Sequence, residues 1–182
     1  MSIEFKGFPK IPRLFRDISI TEKIDGTNAA IIITDEGEVG AQSRNRIITP
    51  DADNFGFATW VAEHEDSLLQ LLGPGTHYGE FWGKGIQRGY GLQERRFSLF
   101  NAVRWADIEE QTDGLLRPVP VLYEGVFGAG AVDFALNWLK DGGSAAAPGF
   151  MKPEGIVVYH AAARQSFKIL IENDDQPKGL AQ

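Results

Sequence analysis

Two β-branched runs either side of Asp25-Gly26 constrain this chain more than any other feature. Ile18, Ile20, Thr21 and Ile24 lie around Lys23, and Ile31, Ile32, Ile33 and Thr34 follow. Such runs read as strands, and Asp-Gly between them is a signal for a tight hairpin turn. The expectation is a hairpin of strands over 18–24 and 28–34, with the Lys23 amine beside its turn. A lysine held at a strand end among polar turn groups is a candidate covalent nucleophile. The alternative is a solvated hairpin lysine, and Thr21–Asn28 alone leaves both open.

The remaining pattern extends this strand-rich start. Asp35-Glu36-Gly37 turns into a third strand over 38–44, so a meander is expected, ending in Ser43-Arg44-Asn45-Arg46. Asp53 or Asn54 can cap a helix to about Leu72, whose apolar residues recur at helical spacing before Gly73-Pro74-Gly75. His64 lies on that apolar face and reads as a packed histidine. A strand over 77–82 carries Glu80. The run Gly83–Gly91 is neither a P-loop nor a dinucleotide fingerprint, and reads as a flexible basic loop over a pocket. Further strands are expected over 97–103, 119–122, 155–160 and 166–171, with helices over 105–111 and 132–140. Residues 143–149 form a loop of small side chains, and the tail 172–182 is polar and loosely held. Residues 1–17 read as an irregular arm packed by Phe5, Phe8, Ile11, Leu14 and Phe15. The whole is one α+β domain over 1–182, with mainly antiparallel sheets flanked by helices.

Composition narrows the chemistry. The chain has 182 residues and no cysteine, which removes disulfides, thiolate metal sites and cysteine nucleophiles. Three scattered histidines argue against a histidine-rich metal site. No run approaches a membrane span, and the start lacks a signal-peptide layout, which fits a cytoplasmic protein with no membrane partner. A net charge of −7 excludes nonspecific nucleic-acid binding by the whole surface. Twelve of the eighteen Lys and Arg residues nevertheless precede Trp105, so a local basic surface is compatible with that total.

Charged residues inside or ending apolar strands stand out: Lys23, Arg44, Glu80, Glu154 and Lys168. Burying charge is costly without partners. Two carboxylates among three cations in one groove between sheets would suit a triphosphate and a divalent metal. Separate half-exposed strand residues are the alternative.

Lys23-Ile24-Asp25-Gly26-Thr27-Asn28 resembles the KxDGxN motif of the covalent nucleotidyltransferases, which include ATP-dependent ligases and mRNA capping enzymes. The string is most similar to the RNA ligase branch typified by phage T4 RNA ligase 2. Later elements resemble that family's motifs in order: Ala41-Gln42-Ser43-Arg44, Tyr78-Gly79-Glu80-Phe81, Phe97-Ser98-Leu99-Phe100-Asn101, Glu154-Gly155-Ile156-Val157-Val158 and Phe167-Lys168-Ile169-Leu170. The resemblance spans roughly residues 18–171. It implies a nucleotidyltransferase (ATP-grasp-like) fold with the nucleotide in a groove between sheets.

It also implies roles. Lys23 would attack the α-phosphorus of ATP, expel pyrophosphate and carry AMP, which needs an unprotonated amine although a lysine ordinarily titrates near 10.4. Glu80 would accept the ribose hydroxyls and Phe100 would stack on adenine, with Phe97 set apart by strand parity. Arg44, Lys168, Asn28 and Glu22 would contact the nucleotide, and Glu154 would bind Mg²⁺ or Mn²⁺. AMP would pass to the 5′-phosphate of RNA, and a 3′-hydroxyl end would then seal the strand, with a separate RNA-binding protein or domain as a further partner. The sequence departs from the family in two ways. Leu170 stands where a second lysine is usual, with Lys178 as the nearest substitute. No C-terminal OB or helical domain is expected within residues 1–182, so self-adenylylation is implied ahead of full end joining. A nick-sealing DNA ligase, a GTP-using capping enzyme and a non-catalytic nucleotide- or RNA-end-binding module are the alternatives.

Overall fold

The computed structural model describes residues 3–174. Period-2 burial runs through its first strand, β1 (Asp17–Lys23), where Ile18, Ile20 and Glu22 face inward between more exposed neighbours. β1 pairs antiparallel with β8 (Val121–Val126) and β9 (Gly155–His160), and β9 with β10 (Gln165–Leu170). These make a four-stranded sheet in the order β10-β9-β1-β8. Its inner face packs Ile18, Ile20, Ile156 and Val158 on Ala135 and Leu139 of helix α4 (Ala129–Gly142).

A six-stranded sheet has the order β4-β3-β2-β5-β6-β7. Its strands are β2 (Thr27–Ile33), β3 (Val39–Ser43), β4 (Ile47–Ile48), β5 (Gly75–Gly83), β6 (Arg95–Leu99) and β7 (Leu116–Pro118). All its pairs are antiparallel except β6 with β7. One face packs Ile31, Phe81, Phe97 and Leu99 on Phe57, Val61 and Leu68 of α1 (Phe57–Glu63) and α2 (Glu65–Leu72). Each such side chain, once wholly buried, contributes roughly 1.5–3 kcal/mol. The short α3 (Ile108–Gln111) precedes β7.

The expected hairpin does not form. β1 and β2 belong to different sheets, and Ile24-Asp25-Gly26 is a crossover between them. A two-residue type I′ hairpin needs positive φ at both turn residues, and neither Asp25 nor Gly26 has one. Gly26 is there for close approach instead: a Cβ on it would fall 2.5 Å from the Phe81 carbonyl oxygen and 2.7 Å from Trp82 Cβ. The meander therefore loses β1 and runs through β2, β3 and the short β4.

Other expectations shift in detail. The helix over 53–72 breaks at His64, whose Nδ1 lies 2.7 Å from the Trp60 carbonyl. Asp53 does anchor its start, through the N–H groups of Ala58 at 2.8 Å and Thr59 at 3.0 Å. The arm is extended and open: Phe5 is 96% exposed and Phe8 87%, so its apolar side chains do not pack as expected. Only its end is tied down, with the Leu14 carbonyl 2.7 Å from His160 Nε2 and Phe15 beside Phe127. The loop after α4 is held by buried hydrogen bonds. Residues 175–182 of the expected tail lie outside the described residues, Lys178 among them. No helix among the described residues is long and apolar enough to cross a membrane.

Candidate active site

Strand ends bring the site together. Lys23 is the last residue of β1, and Glu154 immediately precedes β9, whose Gly155 pairs with Lys23. Lys23 Nζ and Glu154 Oε2 are 2.5 Å apart. The amine is thereby oriented, and the carboxylate beside it can accept a proton. Glu154 is 6% exposed, and its second oxygen, Oε1, has no hydrogen-bond partner among the described residues.

Glu80 comes from the other sheet. Asn28, Glu80 and Ser98 occupy one row across β2, β5 and β6. Asn28 Nδ2 donates to Glu80 Oε2 at 2.6 Å, and the Gly26 N–H donates to Oε1 at 3.0 Å. The crossover therefore fastens directly onto Glu80. Burial pushes the Glu80 carboxyl up to about 7, against the pull of Asn28, Lys23 and the Gly26 N–H. Glu154 and Lys23 both act on that carboxyl electrostatically, so amine and two carboxylates form one group.

The other expected residues take graded positions around this group. Lys168 pairs with Val157, which pairs with Thr21, so strand alternation puts Lys168 and Lys23 on the same sheet face. Strand spacing and rise separate their backbones by roughly 12 Å, a span that two extended lysines can bridge around a shared phosphate. Lys168 is exposed and has no ion-pair partner among the described residues. Leu170, across Gly155 from Lys23, leaves that row without a second cation. Arg44 follows Ser43, the partner of Ala29, which sets it level with Asn28 just past the end of β3, exposed. Phe97 is wholly buried, 5.0 Å from the Phe57 ring. Phe100, 43% exposed, lines a cavity of about 200 Å³ with Tyr78, Asn101, Arg104 and Trp105.

Glu22 is different. Alternation along β1 turns its side chain to the face opposite Lys23. There its Oε2 accepts the N–H groups of Ala145 at 2.8 Å and Ala146 at 2.9 Å. Burial pushes its carboxyl up. Its side chain staples the loop after α4. Two residues outside the sequence-derived set also touch the crossover: Arg88 and Tyr90, both in the glycine-rich run read as a flexible loop. The signal available in sequence was a cation and an aromatic among glycines, which serve equally well in a lid or in a packed turn.

The model of the family described as RNA ligase matches residues 16–170. The chain belongs to the RNA ligase family. That match covers every site residue above. Solved structures of Naegleria gruberi RNA ligase variants share the fold. One with AMP and Mn gives a TM-score of 0.65 at 22% identity, covering 86% of this chain and 50% of that one. One with ATP and Mn gives 0.64 at 22%, covering 85% and 48%. An apo form gives 0.65 at 21%, covering 86% and 50%. The chain thus spans about half the length of these family members. No curated protein sequence matches it.

Proposed function

We propose that residues 1–182 form an adenylyltransferase unit of an ATP-dependent RNA ligase, acting through a covalent Lys23–AMP intermediate. The observation that carries this reading is the Lys23–Glu154 pair at 2.5 Å, set beside the buried Glu80–Asn28 pair. In the first step the neutral Lys23 amine attacks the α-phosphorus of ATP. A P–N bond forms, the P–O bond to pyrophosphate breaks, and the amine's protons leave by way of Glu154 or water. Glu80 and Asn28 receive the ribose hydroxyls, Phe100 the base, and Arg44 and Lys168 the phosphate oxygens. Glu22 acts from behind, through the loop it holds. In the second step AMP passes to the 5′-phosphate of RNA; in the third, a 3′-hydroxyl displaces AMP and joins the strands. The Naegleria structures with ATP or AMP and Mn support the choice of nucleotide and of a divalent ion.

The residues fit such an ion. Glu154 Oε1 is a free carboxylate oxygen at a site that Glu80 also reaches electrostatically. Mg²⁺ and Mn²⁺ are commonly held by one or two carboxylates together with substrate phosphates. No group of three or more His, Cys, Asp or Glu able to hold a metal by itself occurs among the described residues. Glu154 would hold the ion, which would neutralise phosphate charge.

Incubation with α-labelled ATP and Mg²⁺ or Mn²⁺ tests the reading. Label should attach to the protein, survive denaturation and vanish in Lys23→Ala. A wild-type protein that takes no label, or a Lys23→Ala variant that labels equally, overturns it. Leu170 favours one second reading, a nucleotide- or RNA-end-binding module without turnover, because it removes a cation from the Lys23 row. That module would bind ATP saturably and form no adduct.

A further inference from the structure

The halves of the site belong to different sheets. Lys23 and Glu154 stand at the ends of β1 and β9; Asn28 and Glu80 lie within β2 and β5. No strand pairing fixes one half against the other, since these strands pair only within their own sheets. The short chain link between them, Ile24-Asp25-Gly26, has two soft dihedrals per residue. A displacement of about 1 Å in a reacting group can cost 100-fold in rate, so the link has to be held.

The loop between β5 and β6 holds it. The Asp25 N–H donates to Tyr90 Oη at 2.7 Å. Arg88 Nε donates to Asp25 Oδ2 at 3.0 Å, and Arg88 Nη1 donates to the Lys152 carbonyl at 3.0 Å, two residues before Glu154. One guanidinium thus ties the segment leading from Lys23 to the segment leading into Glu154. Tyr90 is 3% exposed, its ring edge-on to Trp82 at 5.0 Å and against Phe150 at 4.6 Å. Ile24 packs in the same cluster as Trp82 and Tyr90. Trp82 belongs to β5 and Phe150 to the segment before β9, so the phenol wedges between parts of the molecule that carry the two halves.

The backbone of this loop is strained at Tyr90, which makes one of the contacts, and at Gln87, next to Arg88. Gln87 and Tyr90 have φ of 45° and 52°. Non-glycine residues in left-handed conformations cost of order 1–3 kcal/mol and persist where surrounding structure over-determines them. Gly85, Gly89 and Gly91 take positive φ at no such cost. The glycines let the chain double back, and the strain at Tyr90 is offset by a buried ring and a hydrogen bond onto the crossover.

We propose that Arg88 and Tyr90 are positioning residues, a brace that holds Lys23 and Glu154 in place against Glu80 and Asn28. The inference rests on the adenylyltransferase reading of the same site. It places rate and nucleotide affinity under separate control. Glu80, Asn28, Arg44 and Phe100 lie on or beside the six-stranded sheet, with Lys168 the one proposed nucleotide contact on the other, so most of nucleotide binding survives when the brace is loosened, and alignment of the amine does not.

The test is the rate of Lys23 labelling over a range of ATP concentrations, using the full chain with Tyr90→Phe, Arg88→Ala and Arg88→Lys. Tyr90→Phe keeps the ring and removes the acceptor; Arg88 is partly exposed, so its replacement spares the core. Tyr90→Phe and Arg88→Ala should each lower the maximal rate by about 10- to 100-fold. The ATP concentration for half-maximal rate should stay within about threefold, and the thermal midpoint close to that of the wild type. Arg88→Lys should recover part of the rate, because it keeps a cation on Asp25 and loses the bridge to Lys152. Wild-type rates in both Tyr90→Phe and Arg88→Ala overturn the brace. So does a loss that falls entirely on the ATP dependence, or one that follows the thermal midpoint. A wild-type protein that takes no label sinks the adenylyltransferase reading itself, and the brace with it.

Discussion

Glu80 in the six-stranded sheet and Glu154 beside the four-stranded sheet are equally buried, at 6% exposed each, yet their partners differ in kind. Glu154 faces an amine; Glu80 faces an amide and a backbone N–H. Neutral donors do not fully compensate a buried carboxylate, and burial accordingly pushes Glu80 up to about 7. On the proposed mechanism, the four-stranded sheet thus brings the charge used in bond making. The six-stranded sheet, with the aromatic core of Phe57, Phe81 and Phe97 behind it, tolerates an under-compensated acid where a sugar would bind. Two carboxylates at equal depth thus differ in their nearest donors, and the proposed mechanism gives them different tasks.

The sharpest way to break this contrast is at Glu154. Glu154→Gln removes the charge beside Lys23 and should lower the labelling rate by roughly 100- to 1,000-fold, as loss of a group that orients and deprotonates a nucleophile does. An equal loss from Glu80→Gln, entirely in rate and with no change in ATP dependence, would mean that the division of labour is wrong.

Next in size is the core that supports the recognition half. Phe57→Ala should cost about 3–5 kcal/mol in a denaturant melt, because its wholly buried ring contacts Trp60, Phe81 and Phe97. A cost below about 1 kcal/mol would show that the six-stranded sheet does not depend on that aromatic layer.

Glu80 offers a pH test. Its folded value is raised from 4.5 to about 7, so the fold binds this proton more tightly than the unfolded chain does. The resulting stability is present in full below about 4.5 and is lost as pH rises through about 7. Glu80→Gln should therefore be more stable than the wild type at pH 8 by about 3 kcal/mol, with the gap closing as pH falls toward 4.5. Nucleotide affinity of the wild type should rise as pH is raised through about 7, since the ionised carboxylate is the better acceptor for ribose hydroxyls. A stability difference independent of pH would remove the contrast with Glu154.

The smallest effect concerns the row shared by Lys23, Gly155 and Leu170. Leu170→Lys places a cation on the Lys23 face and should tighten ATP binding by about two- to fivefold, an effect that salt weakens. Binding that is unchanged at low salt would indicate that the phosphates lie elsewhere.

Much of this was legible beforehand. β-branched runs and period-2 alternation located β1, β2, β3, β5, β9 and β10 to within a residue or two at most ends, because side-chain burial alternates along a half-buried strand whatever it pairs with. The same alternation separated Phe97 from Phe100, whereas the placement of Lys168 on the Lys23 face needed the register of β1, β9 and β10. Glu80 and Glu154 stood out as acids in apolar surroundings. Less legible were the contacts made at long range. Arg88 reaches Asp25 across 63 positions and Glu22 reaches Ala145 across 123. The open arm was misread because apolar side chains in a sequence do not state whether anything covers them.

The stretch around Lys23 shows where the boundary falls. Sequence alone determined that two strands flank it and that its lysine ends a strand beside polar groups. Tertiary structure decided that these strands enter different sheets, that Gly26 is needed for contact with Phe81 and Trp82, and that Lys23 meets Glu154. Alternation specifies a strand and its buried face. Its partner is selected by which distant strands complete the core and satisfy its backbone hydrogen bonds, and for β1 those are β8 and β9, not its neighbour β2.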